Sequence, residues 1–159
     1  MTQSISRRIL VGFLGSLAVP ARAQERAQPE LPKARLVIVT REGTRHAFMV
    51  EMAITPEQQT VGLMFRPSVP PDGGMLFDWG SPRESTMWMR NTIASLDMLF
   101  IAEDGRIHRI AERTVPFSLA TIASNGPVRA TLELAAGTAE RLGIRVGDTV
   151  LHPIFGKQL

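Results

Sequence analysis

The chain contains no cysteine, which removes disulfide frameworks, thiol nucleophiles, Cys-x-x-Cys redox chemistry and thiolate-held zinc together. Histidine is scarce. His46, His108 and His152 stand far apart, without the H-x-H or H-E-x-x-H spacing of zinc hydrolases. A Gly-x-Ser-x-Gly nucleophile elbow is missing as well. Lysine occurs only as Lys33 and Lys157, so positive charge rests on arginine. No apolar run approaches the roughly 20 residues that cross a bilayer. These absences point to no metal and no cofactor.

What is present suits one domain: 159 residues, 44% of them hydrophobic, enough to build a core. Arg7 and Arg8 precede the apolar run from Ile9 to Val19, and Ala21-Arg22-Ala23 follows. A basic start, a short apolar stretch and an A-x-A exit form the layout of a secretory signal peptide. Residues 1–23 are therefore expected to be removed on export to the periplasm, by the general secretory route or, given Arg7-Arg8, the twin-arginine one. The leader takes three of the 18 basic residues, leaving 15 against 15 acids. A balanced remainder argues against a nucleic-acid partner. With no cysteine to lipidate and no second long apolar segment, no stable membrane anchor is expected either.

Residues 24–34, with Pro29 and Pro32, read as a flexible lead-in, and 35–159 as the single folded domain. Leu36–Val39 and Phe48–Met52 flank a turn at Arg41-Glu42-Gly43-Thr44, a hairpin signal. Thr55-Pro56-Glu57-Gln58 has the form of a capping box with proline at the first helical position, predicting a short helix from Pro56 to about Leu63. Met75–Trp79 and Ser85–Met89 are expected as two strands around a Gly80-Ser81-Pro82 turn. A hairpin across Glu103-Asp104-Gly105 joins Asp97–Ile101 to Arg106–Ala111. Thr114–Pro127 is expected to be a long loop of the kind that binds or covers ligands. Val128–Leu134 alternates as a strand, Ala136–Leu142 reads as a second short helix stopped by Gly143, and a last strand lies around Thr149–Ile154. The sum is an α+β, mainly β fold: a compact barrel-like antiparallel or mixed sheet with two short helices.

Methionines at 64, 75, 87, 89 and 98 lie near Trp79 and Trp88. Thioethers suit Cu(I), but Met87 and Met89 point to one side of a strand and Trp88 to the other, and core packing is the commoner use of methionine. The stretch Trp88-Met89-Arg90-Asn91-Thr92, followed by Asp97, gathers an aromatic plane, a cation, an amide, a hydroxyl and a carboxylate near a strand end. Trp88 offers a stacking surface while Asn91, Thr92 and Asp97 offer hydrogen bonds, as the few polar groups of a ligand pocket do. The competing reading has Asn91 and Thr92 tying down a turn and Asp97 pairing an arginine. Glu133 sits between Leu132 and Leu134 on an apolar strand. Once buried it needs a cation or a shifted pKa, and Arg66 and Arg90 are the expected partners.

These residues together give the chain a resemblance to the DUF192 family of small, often exported bacterial and archaeal proteins. The matching segments include Gly62-Leu63-Met64-Phe65-Arg66, Gly74–Phe77, Trp88–Thr92, Leu96–Ile101, Leu132-Glu133-Leu134 and Val146-Gly147-Asp148, in order from about Leu36 to Pro153. Arg90 stands where relatives more often carry lysine, and the Thr114–Ser124 loop lacks a cysteine that relatives often carry there. The resemblance implies a β-rich single domain and brings no mechanism with it.

The leading expectation is an exported domain that binds a small polar ligand near Trp88, Asn91 and Asp97, with Arg66, Arg90, Thr92 and Glu133 around it. A second is a small hydrolase using Asp97 or Glu133 as general base. A third is a cell-envelope interaction module, which would show an exposed apolar patch instead of a pocket.

Overall fold

The computed structural model describes residues 26–159, so the expected leader lies outside the described residues. Seven strands, β1 (Lys33–Val39), β2 (Arg45–Ala53), β3 (Gly73–Met87), β4 (Leu96–Ile101), β5 (Ile107–Ala111), β6 (Ile122–Ala135) and β7 (Thr149–Leu151), are joined by two helices, α1 (Pro56–Val61) and α2 (Thr138–Leu142). They form one sheet in the order β5-β4-β6-β3-β2-β1-β7. The β2–β3 pair is parallel and every other pair antiparallel. That one parallel pair needs a crossover, and α1 with the segment after it supplies the connection.

The sheet curls into a half-barrel whose outer strands approach each other. Arg106 bridges to Thr149, and Ile107 donates its amide to the Asp148 carbonyl at 2.9 Å. Gly105 permits this contact. It sits at φ +79°, and a Cβ there would lie 2.7 Å from the Val150 carbonyl oxygen, a position that excludes any side chain.

Local signals account for most of the elements. Thr55 accepts from the Gln58 amide at 3.3 Å, and the Gln58 side chain accepts from the Thr55 amide at 3.0 Å, completing the expected capping box. α1 stops at Val61, two residues early, because Gly62 turns to φ 50°. β3 runs unbroken from Gly73 to Met87 instead of splitting at Gly80-Ser81-Pro82. The turn residues are absorbed as an irregularity between Asp78 and Arg83, where the pairing with β6 shifts register, as a bulge allows. The second half of the expected long loop is likewise strand, since β6 begins at Ile122. The last strand is short, and Pro153–Phe155 forms a 3₁₀ turn in its place. The segment before β1 is tied in: Gln28 donates to the carbonyls of Gln58 and Gly62.

The two faces of the sheet differ. One packs a core to which all seven strands contribute, among them Leu36, Phe48, Leu76, Leu99, Leu132 and Val150. The other carries a second cluster, with Met75, Phe77, Met98 and Phe100 from the strands and Leu63 and Met89 from the connections laid over them. Adjacent residues of a strand belong to opposite faces, so one step along β6 crosses from one environment to the other.

Candidate functional site

On the second face the strand register aligns side chains in rows. Glu51, Met75, Glu133 and Met98 form one row, and Ala53, Phe77, Thr131 and Phe100 form the next. Over these rows lie α1, the Gly62–Met64 turn and the Trp88–Thr92 segment. Gln59 fastens α1 to the sheet by donating to the carbonyls of Ala53 and Asp78, at 3.2 and 2.7 Å. Gly62 lets the cover come close, because a Cβ there would meet the Phe77 ring at 3.0 Å.

The cover does not fill the space beneath it. A cavity of about 530 Å³ remains, with Leu63, Met64, Phe77 and Met87 among its apolar walls and Trp79 and Trp88 on its sides. Thr86, Thr92 and Thr121 add hydroxyls, and Glu133 reaches it from β6. Arg83 lies 4.3 Å over the Trp79 ring and Arg90 5.4 Å over the Trp88 ring, so both aromatic planes already hold a cation. Trp79 is anchored by donating its Nε1–H to Thr131 at 3.3 Å.

Glu133 is the unusual group. It is 4% exposed, and burial pushes its carboxyl up to about 8. A carboxylate in an apolar setting normally finds a cation or several N–H donors. The two partners expected from the sequence are committed elsewhere, and Glu133 forms no side-chain hydrogen bond or ion pair among the described residues. Arg66 makes a bidentate pair with Glu51, one contact being Nη2 to Oε2 at 2.9 Å. Arg90 is exposed on Trp88.

The remaining candidate residues divide by place. Trp88 and Thr92 line the cavity with Glu133. Arg66 borders a separate hollow of about 260 Å³ together with Glu51 and Pro67. Asn91 acts through its backbone: at φ 54° it turns the chain, and its carbonyl accepts the Phe65 amide at 2.9 Å. Asp97 pairs in register with Leu134, and so faces away from Glu133, which pairs with Met98. Its oxygens accept the amides of Arg113 and Ala139, each at 2.9 Å. Two backbone donors satisfy it where an arginine was expected, and it pins the start of α2 to β4.

Trp79, Phe77 and Arg83 were not among the sequence candidates. The first two were within reach, since Met75, Phe77 and Trp79 alternate along one strand face. Arg83 was not, because the irregularity after Asp78 resets which side faces the cavity. Beside the mouth, Ile93, Val115, Phe117 and Leu119 are exposed, on a loop held by the Phe117 amide to the Thr92 carbonyl and the Met89 amide to the Ser118 carbonyl. No group of three or more metal-ligating side chains occurs among the described residues.

Comparison with known proteins places these features in context. Residues 37–152 match the model of the family described as DUF192, uncharacterized ACR. A solved structure from Sinorhizobium meliloti 1021, described as a proposed transcription regulator, is 46% identical with a TM-score of 0.78, covering 80% of this chain and 98% of that one. A protein of unknown function from Novosphingobium aromaticivorans DSM 12444 is 38% identical with a TM-score of 0.74, covering 77% and 86%. No curated protein matches.

Proposed function

The chain belongs to the DUF192 family, and from that premise we propose that it is a binding domain whose ligand enters the cavity under α1 and hydrogen-bonds Glu133. The observation that carries this reading is the conjunction of a buried carboxyl without a partner and a cavity of about 530 Å³ that it lines. A mostly apolar hollow with few convergent polar groups is the usual form of a small-molecule site. The hydrolase reading loses one of its two bases, because Asp97 is consumed by two backbone amides; it rests on Glu133 alone, the carboxyl that lines the cavity. The exposed Ile93, Val115, Phe117 and Leu119 favour a second reading, a protein-contact surface beside the mouth. The Sinorhizobium relative's description finds no support in the helices: those described here have six and five residues, too short to lie along a major groove as recognition helices do.

Export is part of the same proposal and rests on the leader pattern of residues 1–23. Native mass spectrometry of the full-length gene product, isolated from the envelope fraction of its own source, tests both. The expected spectrum shows a chain beginning at Gln24 with a small-molecule adduct. Thr86→Trp, an exposed substitution at the mouth, is expected to remove the adduct. An adduct that survives Thr86→Trp, or bare protein throughout, contradicts binding in this cavity. An intact leader on envelope protein contradicts its cleavage.

A further inference from the structure

Four acids of the fold are buried to 5% exposure or less: Glu51, Asp97, Glu133 and Asp148. Three have their charge answered from within the chain. Glu51 has Arg66 and the Leu31 amide, Asp97 has two amides, and Asp148 has the amides of Arg41 and Arg145 at 3.1 and 2.7 Å. Glu133 alone among them has none, and it alone lines the large cavity. A buried carboxyl either keeps its proton or takes a counter-charge, and the cavity that Glu133 lines gives such a partner a way in.

Resting on the binding reading above, we infer that the ligand is a primary amine on an apolar body, its ammonium group seated on the Glu133 carboxylate. The walls fit such a body. Leu63, Met64 and Phe77 line the cavity with hydrocarbon and an aromatic ring, surfaces on which an apolar body packs. Each tryptophan ring already carries a guanidinium, Arg83 or Arg90, whereas Glu133 carries none. Those two guanidinium groups are exposed at the rim, where solvent and salt weaken their repulsion of an entering ammonium.

The other charges around Glu133 are already matched. Across Met75 stands Glu51 with Arg66, and further along β6 Arg129 pairs with Asp78. On β4, Asp97 faces the opposite side of the sheet. On α1, Glu57 is exposed. Glu133 holds a proton near neutrality, so seating an ammonium there releases that proton to solvent. Affinity therefore rises with pH, by about tenfold per unit, until the carboxyl is ionised without help.

Isothermal titration of the folded chain with 2-phenylethylamine and with 2-phenylethanol, its uncharged counterpart, tests the inference. The amine is expected to bind at least about tenfold more tightly than the alcohol, with its affinity rising between about pH 6 and 8. Buffers of different ionisation enthalpy should report close to one proton released per amine at pH 7. Glu133→Gln should abolish the preference for the amine while leaving weak alcohol binding, which also shows that the variant is folded. Equal affinities for the two probes, or no proton release, overturn the amine assignment. If the alcohol still binds and Thr86→Trp blocks it, the cavity remains a binding site and only the ligand class fails. If neither probe binds, the amine assignment fails, and the native adduct decides separately whether the cavity is a site.

Discussion

Glu51 and Glu133 flank Met75 in one cross-strand row, on the same face of the same sheet, and both are buried, at 5% and 4% exposure. Their surroundings have opposite consequences. At Glu51 burial works to raise the carboxyl, but the Arg66 and Leu31 hydrogen bonds outweigh it and hold the group below its ordinary value. At Glu133 nothing opposes burial and the carboxyl rises to about 8. Residue type, strand face and low solvent exposure are shared, although Glu133 lies deeper among protein atoms than Glu51. What separates a structural acid from a candidate site is whether the chain brings its own cation. The Gly62–Pro67 turn brings Arg66 to one glutamate and leaves a hollow beside the other.

Breaking the paired side should destabilise the fold most at neutral pH. Arg66→Met leaves Glu51 buried without its cation and is expected to cost about 3 kcal/mol in urea unfolding at pH 7. A loss below about 1 kcal/mol would make the pair incidental, as exposed pairs are. The unpaired side responds in the other direction. Glu133→Met removes a carboxyl with no partner and is expected to stabilise the fold near pH 9 by about 4 kcal/mol, the cost of ionising a group whose value burial has raised from 4.5 to about 8. The pH dependence separates the two acids further. For Glu133 the folded chain holds a proton that the unfolded chain gives up above 4.5, so wild-type stability falls as pH rises from there to about 8, then levels. The gain from Glu133→Met should therefore shrink to near zero around pH 4.5. For Glu51 the lowered value has the reverse sign: its contribution is present above the ordinary 4.5 and is lost as pH falls. Unfolding midpoints of the Glu133→Met protein that stay below wild type at every pH would erase the contrast.

Much of the fold was legible in the sequence because it is written locally. Thr55, Pro56 and Gln58 announce α1, and Glu103-Asp104-Gly105 announces the β4–β5 turn. The division of β3 was misread because Gly80-Ser81-Pro82 usually ends a strand, whereas here a register shift accommodates it. The candidate site was legible only in part. Glu133 stood out as an acid between leucines, and Trp88 and Thr92 lie where a pocket was expected. That Asp97 faces away from Glu133 depends on β4 pairing Met98, not Asp97, with Glu133. A shift of one residue in that register would have reversed it, and no local pattern in the sequence encodes it. The choice of Glu51 over Glu133 by Arg66 is equally a matter of tertiary approach. Both acids were available in the sequence, and only the folded turn selects between them.

The central claim is that Glu133 lies buried beside a hollow with no partner from the chain, and the most direct measurement is a carbon-detected NMR titration of its side-chain carboxyl in the protein freed of ligand. The carboxyl resonance is predicted to move with a midpoint near 8. A midpoint at the ordinary glutamate value of 4.5 would show that Glu133 is solvated or paired, and would contradict the account of the cavity built on it.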